Sequence, residues 1–254
     1  MGIFNHKTLG AVSVDDSERK NASMKIASLT IHTSIIAGTG FRFASAAKNE
    51  RDAKIDKHIA LTETPEFKKP YRDTILKAWK YIRQQHKSGQ QGFVIFDIDE
   101  VTLDNRGYFA DPKSIYYKKA PGLQSIKETW AKWVQQSFCP AIPITKRLIN
   151  YLNAKGIYYC FLTGIDEDLK PHSVKNLQQT GVIGPSCLGA FYKPTSWQGS
   201  TRAFKKEKRH ELEKQFGLSV MASIGDRPGD MTDNPEKNFL LPCYVKKLRE
   251  ENDN

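Results

Sequence analysis

One stretch decides the fold of this chain: Phe93-Val94-Ile95-Phe96-Asp97-Ile98-Asp99-Glu100-Val101. Its first four residues are apolar, a pattern typical of a strand buried on both faces, as in a parallel sheet. Two carboxylates, Asp97 and Asp99, follow the strand at once. Ligands of open α/β sheets bind just beyond the carboxyl ends of the strands, and neighbouring carboxylates repel each other unless a cation or a proton intervenes. The stretch alone therefore indicates either a metal-binding strand end or a buried strand followed by an acidic turn.

The composition of the 254-residue chain is typical of a globular protein with a substantial core, at 39% hydrophobic and 26% charged residues. The net charge is +11, but the basic residues are spread along the chain, and the one dense run, 205–209, is interrupted by Glu207. A nucleic-acid partner is therefore not predicted, whereas a small anionic substrate accounts for the basic balance. No segment reaches 18 apolar residues, so no membrane span is predicted. Nothing in the sequence indicates an oligomeric state.

The four cysteines lie far apart without a C-x-x-C pair, and the six histidines are equally scattered. A zinc site is therefore not predicted. The even number of cysteines permits disulfides without requiring them. Cys160 lies inside an apolar run, which favours a buried free thiol.

Residues 1–54 are predicted to be an N-terminal tail outside the folded domain. Within it, the range 24–46 has the three parts of a secretory signal: a basic start at Lys25, an apolar run, and the small-residue exit Ala44-Ser45-Ala46. This interpretation requires synthesis to start at Met24 and predicts cleavage after Ala46, giving a periplasmic or secreted protein. The alternatives are a disordered tail or a membrane-associated helix on a cytoplasmic protein.

Strand and helix patterns alternate through the rest of the chain. Helices are predicted over 70–87, 125–136, 144–155, 169–179 and 202–216, and strands over 93–96, 157–162, 187–191, 220–224 and 239–245. Repeated strand–helix units predict an α/β fold, a Rossmann-like parallel sheet with helices on both faces, formed by residues 55–246. The range 103–140 is too long for an ordinary connection and is predicted to be a small, mainly helical cap inserted after the first strand. The charged end, 247–254, is predicted to be a tail.

Polar residues end three of the predicted strands: Asp97 and Asp99, then Thr163-Gly164, then Asp226. The carboxyl ends of parallel strands lie along one edge of a sheet, so these groups are expected to converge. This convergence favours a functional site over a chance acidic turn.

These residues resemble a known family. The set Asp97-x-Asp99, Thr163, Lys205 and Gly225-Asp226-x-x-x-Asp230 resembles the four motifs of the haloacid dehalogenase (HAD) superfamily of phosphohydrolases. The ranges 96–100 and 103–105 are similar to the acid phosphatase branch, which includes bacterial class B and class C enzymes and plant vegetative storage proteins. Trp133-Val134 and the ranges 140–143, 161–164 and 175–177 fit the same branch.

The resemblance implies a role for each strand-end residue. Asp97 would be the nucleophile that forms an aspartyl-phosphate, and Asp99 would protonate the leaving oxygen and then activate water. Thr163 and the Gly164 amide would bind phosphoryl oxygens, and Lys205 would oppose the developing negative charge.

The resemblance also implies a Mg²⁺ site built from oxygen ligands. The ligands would be Asp97, the backbone carbonyl of Asp99 and the carboxylate of Asp226, with Asp230 holding a metal-bound water or orienting Asp226. More than one lysine could supply the positive charge beside the phosphoryl group, because several lysines lie close together in the sequence. Lys205 is preferred over Lys206 because Lys205 and Arg209 reproduce a Lys-x-x-x-Arg spacing associated with this branch.

Two positions depart from the branch pattern. Val101 stands where Thr is usual, and Ile165 stands where Arg is usual after Thr163-Gly164. The missing cation at 165 is expected to lower phosphate affinity or alter substrate preference, unless Lys170 or His172 compensates.

The resulting prediction is a Mg²⁺-dependent hydrolase of phosphate monoesters, with a nucleotide, sugar phosphate or aryl phosphate as substrate. A phosphotransferase that uses the same aspartate and a non-catalytic storage or binding protein on the same fold are the alternatives. Aromatic residues of the cap are expected either to stack on the substrate or to pack within the lid: Tyr108, Phe109, Tyr116 and Trp130.

Overall fold

The computed structural model describes residues 64–110 and 126–243. The predicted signal, both predicted tails, Tyr116 and the side chain of Phe109 lie outside the described residues. Six α-helices and five strands are described, in the following order. They are α1 Pro65–Lys87, β1 Phe93–Phe96, α2 Arg106–Ala110, α3 Ile126–Gln135, α4 Pro143–Lys155, β2 Tyr158–Asp166, α5 Lys170–Gln179, β3 Cys187–Lys193, α6 Thr201–Phe216, β4 Val220–Gly225 and β5 Asn238–Leu240.

The strands form one parallel sheet in the order β3-β2-β1-β4-β5. β1 is the central strand, and all four of its residues are buried, as its apolar run predicts. The register aligns Phe96 with Phe161 of β2 and with Ile224 of β4. The chain therefore leaves β1, β2 and β4 at one edge of the sheet.

Helices cover both faces of the sheet. Val94 and Phe96 of β1 belong to the larger apolar core, together with side chains of α1, α4 and α5. Phe93 and Ile95 point the other way and pack with Phe204 and Leu212 of α6. This alternation follows from the two-residue repeat of a strand. The predicted fold class, a Rossmann-like α/β sheet with helices on both faces, is confirmed.

Several predicted element boundaries are wrong, among them the end of β2, which lies at Asp166 and not at Leu162. α1 begins at Pro65, not at residue 70, and Pro70 lies inside the helix. The prediction missed the first turn because Pro70, a residue typical of the first turn of a helix, lies inside α1. β5 is also shorter than predicted and spans only Asn238–Leu240.

The chain leaves and re-enters the sheet region through a short paired segment. Leu103 pairs antiparallel with Ala141, the Asp104 amide donates to the Pro140 carbonyl (2.9 Å), and the Ile142 amide donates to the Thr102 carbonyl (2.9 Å). α2 and α3 lie between these two stretches. None of the helices described in 64–110 and 126–243 has both the length and the apolar character of a membrane span.

Candidate active site

Asp97 is the first residue after β1, and its backbone is held on two sides. Its amide donates to the Ile224 carbonyl of β4 (3.0 Å), and its carbonyl accepts a hydrogen bond from the Thr102 hydroxyl (2.8 Å). The Asp97 side chain is buried. Burial raises the pKa of Asp97 well above its usual range, and the nearby ammonium of Lys205 opposes that rise.

Lys205 joins two of the predicted acidic residues. Its Nζ donates to Asp97 Oδ1 at 2.8 Å and to Asp230 Oδ1 at 2.5 Å. Burial disfavours the ammonium, but the charges of Asp97 and Asp230 outweigh burial and raise the pKa of Lys205. Lys206, the alternative, is exposed and pairs with the exposed Asp233. The structure therefore places Lys205, and not Lys206, at the nucleophile candidate.

The Lys-x-x-x-Arg spacing has a structural explanation. Residues four apart lie on one face of a helix, and both Lys205 and Arg209 of α6 are buried. The Arg209 guanidinium donates to the Gly229 carbonyl (3.1 Å). Gly229 belongs to the 3₁₀ turn Pro228–Asp230, so Arg209 holds the turn that carries Asp230.

A tight turn after β4 brings Asp226 and Asp230 together. The Arg227 amide donates to Asp230 Oδ2 (2.8 Å), and the Ser223 hydroxyl donates to the Asp230 carbonyl (2.6 Å). Gly225 is required by the close approach, because a Cβ atom at this position would lie 2.2 Å from Cβ of Asp230. The sequence pattern Gly-Asp-x-x-x-Asp thus follows from the space that the turn leaves.

Three of the predicted metal ligands form one buried group. Asp97, Asp226 and Asp230 each offer a carboxylate oxygen within 4.8 Å of the other two. Asp226 Oδ2 is buried and accepts no hydrogen bond from the described residues, although Arg227 Nε lies 3.3 Å from it. Burial and the neighbouring Asp230 raise the pKa of Asp226, and Arg227 opposes this rise. Three buried carboxylates this close together, with Arg227 as the ion-pair partner of Asp226, fit a divalent cation with oxygen ligands.

Thr163 and Gly164 lie inside the last four residues of β2, because the strand continues past the predicted end at Leu162 to Asp166. Thr163 is fully buried, and its hydroxyl oxygen accepts a hydrogen bond from the Ile165 amide (3.1 Å). This contact leaves the Thr163 hydroxyl hydrogen available to another acceptor. Gly164 lies against Thr201 at the start of α6, where a Cβ atom would be 2.6 Å from the Thr201 methyl group.

Asp99, the fourth predicted acidic residue, lines a pocket of about 380 Å³. Burial raises the pKa of Asp99 to about 7, against the opposing charge of Lys205 and a hydrogen bond from Asn105. The Asn105 amide nitrogen donates to Asp99 Oδ1 (3.0 Å). The rest of the pocket wall consists of Trp130, Ala131, Gly164, Ile165, Asp166, Asp168, Leu169 and Lys193.

The two departures from the branch pattern lie in different surroundings. The Val101 side chain is fully buried in the apolar core, and only its carbonyl meets a polar group, the Tyr71 hydroxyl (2.8 Å). Ile165 is buried and also contributes to the pocket wall. Among the described residues of that wall, the basic one is Lys193 of β3, which pairs with Asp166 at 2.8 Å. Lys170 is exposed and lies over the Tyr192 ring, so the pocket cation is one that sequence reasoning did not select.

Glu100 was another residue without a predicted role. It is buried, its backbone is left-handed (φ 58°), and its Oε1 accepts no hydrogen bond within the described part of the chain. Burial and the neighbouring Asp99 raise its pKa well above the usual range. The sequence does not predict the burial of Glu100, because a glutamate that follows a strand is ordinarily exposed to solvent.

Comparison with known proteins identifies the family. A family model described as "HAD superfamily, subfamily IIIB (Acid phosphatase)" matches residues 24–246. The chain belongs to this family. The resemblance inferred from the strand ends is thereby confirmed.

Relatives of this HAD chain include plant and bacterial proteins. "Acid phosphatase 1" of Solanum lycopersicum is 25% identical over 151 residues, which cover 58% of this chain and 56% of that protein. The chain thus spans little more than half the length of this relative. A class C acid phosphatase structure from Bacillus anthracis matches with a TM-score of 0.58 at 17% identity, over 80% of this chain and 97% of that one. A second structure of that enzyme, with tungstate bound, matches with a TM-score of 0.56 at 19% identity, over 74% and 84%. At these identities the structural matches support the fold.

Proposed function

We propose that this HAD-family chain hydrolyses phosphate monoesters in a Mg²⁺-dependent reaction with Asp97 as the nucleophile. The observation that carries the proposal is the buried contact of the Lys205 ammonium with Asp97 and Asp230. A buried nucleophilic carboxylate needs a cation beside it to remain ionised. Lys205 is placed to supply that charge.

In the first step, an Asp97 carboxylate oxygen attacks the phosphorus atom. The new bond gives an aspartyl-phosphate while the bond from phosphorus to the leaving oxygen breaks. Asp99 donates its proton to that oxygen, so the product leaves as a neutral alcohol. A pKa raised to about 7 suits this role, because general acids work best when their pKa lies near the operating pH.

In the second step, the ionised Asp99 removes a proton from water. The oxygen of that water attacks phosphorus, the bond to Asp97 breaks, and inorganic phosphate is released. The Thr163 hydroxyl and the Gly164 amide bind phosphoryl oxygens in both steps, and Lys205 opposes the negative charge that develops on them.

The carboxylate group would hold the metal ion. Asp97, Asp226 and the Asp99 backbone carbonyl are the proposed ligands, and a bound Mg²⁺ would offset the combined negative charge of substrate and nucleophile. Both carboxylate oxygens of Asp230 already accept hydrogen bonds, from Lys205 and from the Arg227 amide. This arrangement supports an orienting role for Asp230 rather than direct ligation.

The pocket beside Asp99 would accept the leaving group of the substrate. Trp130 offers an aromatic face for a planar group, while Lys193, paired with Asp166, is the basic residue in the described wall. Tyr108 is buried against Trp130 and Trp133 with ring-centroid distances of 4.9 and 5.8 Å, so it packs within the cap. The proposed substrates are nucleotides, sugar phosphates and aryl phosphates small enough for about 380 Å³.

The test is hydrolysis of an aryl phosphate by the wild-type protein with Mg²⁺ and with a chelator, alongside Asp97→Asn. We expect activity only with the metal, and a loss of at least about 10³-fold in the variant, because the nucleophile is removed. Asp233→Asn, which alters an exposed carboxylate, is the matched control and should keep wild-type turnover.

Mass spectrometry of acid-quenched protein should locate the phosphoryl group on Asp97. Wild-type turnover by Asp97→Asn would exclude this mechanism. An inactive wild-type protein that still binds phosphate esters would favour the storage or binding alternative. Phosphorylated alcohol formed in the presence of glycerol would show transfer to an acceptor other than water.

A further inference from the structure

Asn105 joins the proposed general acid to a buried polar network. Its Nδ2 donates to Asp99 Oδ1 at 3.0 Å, while its Oδ1 accepts from the Trp133 indole at 2.9 Å and from the Cys139 thiol at 3.1 Å. Asn105 is 3% exposed, so water does not replace these contacts easily. None of the three partners is adjacent to Asn105 in the sequence.

The network allows one orientation of the Asn105 amide. An indole N–H is a donor only, so the amide oxygen must face Trp133. The amide nitrogen must then face Asp99, where it donates. Asp99 Oδ1 is consequently an acceptor at this contact, which leaves Oδ2 as the oxygen that carries a catalytic proton.

The far side of the network is anchored to the sheet domain. The Asn176 side chain of α5 accepts from the Cys139 amide (2.9 Å) and donates to the Cys139 carbonyl (2.7 Å). Asn176 is buried. The position of the Cys139 thiol, and with it the orientation of Asn105, is therefore fixed by a helix outside the cap.

We propose that Asn105 is a positioning residue that holds the Asp99 carboxyl group in the orientation required for proton transfer to the leaving oxygen. Trp133 sets the orientation of the Asn105 amide. This inference rests on the proposed function, since it concerns the residue that protonates the leaving group. It explains why α3, which carries Trp133, contributes to catalysis as well as to the pocket wall.

The expected signature is a dependence on the leaving group. A p-nitrophenolate ion departs readily without a proton, whereas an alkoxide needs one, so only alkyl phosphates depend strongly on a well-positioned acid. Loss of the Asn105 hydrogen bond should therefore lower kcat/KM far more for an alkyl phosphate than for p-nitrophenyl phosphate. A purely structural role would lower both by the same factor.

The test compares Asn105→Ala with the wild-type protein on 2-phosphoglycerol and p-nitrophenyl phosphate, with Mg²⁺ present. The loss on the alkyl substrate should exceed that on the aryl substrate by about 10- to 100-fold, the range for a hydrogen bond to a charged group. Equal losses on both substrates, or no loss, would overturn the inference.

Trp133→Phe keeps Asn105 and removes only the indole donor, so it tests the network even if Asn105→Ala folds poorly. It should show the same selective loss at about 2- to 10-fold, as for a neutral hydrogen bond. Trp79→Phe, which alters a partly buried indole of α1 packed on the Tyr151 ring, is the matched control and should show no selectivity. If the wild-type protein hydrolyses neither substrate, the proposed function fails; if wild-type hydrolysis is normal and both network variants lack the selective loss, only the role of Asn105 fails.

Discussion

Replacing Lys205 with methionine tests the electrostatics of the candidate site most directly. Methionine has nearly the same length as lysine but no charge. The substitution leaves Asp97 and Asp230 buried without the cation that contacts both, at 2.8 and 2.5 Å. Two buried carboxylates then repel each other or take up a proton, and a protonated Asp97 is a poor nucleophile.

The structure sets the size of the effect. At an effective dielectric constant of about 20, each contact contributes about 6 kcal/mol of attraction. Desolvation of the three charges offsets most of this, and removing one partner of a buried ion pair typically costs about 3–5 kcal/mol. For a chain of this length, that loss lowers the melting temperature by about 6–20 °C. We also expect kcat to fall by about 10²- to 10³-fold, as when one preorganised donor at a transition state is removed.

The assay is thermal unfolding in a chelator and with Mg²⁺, followed by steady-state kinetics. Lys206→Met is the matched control, because Lys206 is the neighbouring residue of α6 with a 55% exposed side chain and an exposed partner, Asp233. Such a surface pair contributes about 1 kcal/mol at most. Added Mg²⁺ should restore part of the stability of Lys205→Met, since its charge would lie beside the same carboxylates. The reasoning is refuted if Lys205→Met melts within about 2 °C of the wild type in chelator, or keeps its kcat.

Four further predictions follow from the same geometry. In a chelator, the free energy of unfolding should rise as the pH is lowered from 8 to about 5.5. The pKa of Asp99 is raised to about 7 in the folded protein, so in this range the folded state binds a proton that the unfolded state does not, and protonation favours folding. A melting temperature highest at pH 8 would contradict this. Gly225→Ala should destabilise the protein by about 1–3 kcal/mol and reduce Mg²⁺-induced stabilisation, because the new methyl group displaces Asp230; unchanged values would show that the turn adjusts. Val101→Thr should cost about 1–3 kcal/mol in urea denaturation and leave kcat unchanged, since it buries a hydroxyl in the apolar core; an altered kcat would give residue 101 a role in catalysis. N-terminal sequencing of the secreted fraction should begin at Ala47, whereas an intact Met1 in a cytoplasmic protein would refute the predicted signal.

The fold was largely predictable because its signals are local. The apolar run of β1 and the alternating strand and helix patterns report burial on one or both faces, which nearby residues determine. The start of α1 was missed because Pro70, a residue typical of a first helical turn, lies inside the helix. The candidate site was predictable only where strand ends converge. The sheet order brings Asp97, Thr163 and Asp226 to one edge, independently of the conformation of the connecting loops.

The network around Asp99 was not predictable in the same way. Asn105 and Trp133 are separated by 28 residues, and their contact depends on how α3 returns to the sheet. Lys193 reaches the pocket from β3, a strand whose sequence carries no motif. Contacts of this kind arise from packing between helices and strands, and the hydrophobic pattern of neighbouring residues does not predict them.

The sequence by itself indicated that β1 is buried on both faces and that carboxylates follow it, because an apolar run is typical of a strand in a sheet covered on both faces. The central place of β1 in the sheet came from the structure. The sequence also indicated the family, through the motifs at the strand ends, and the family model confirms it. Only the tertiary structure decided between Lys205 and Lys206, and only it placed Asn105 between Asp99 and Trp133. The physical reason is that adjacent helical residues differ by about 100° in direction, so the docking of α6 selects which ammonium is buried against the acids.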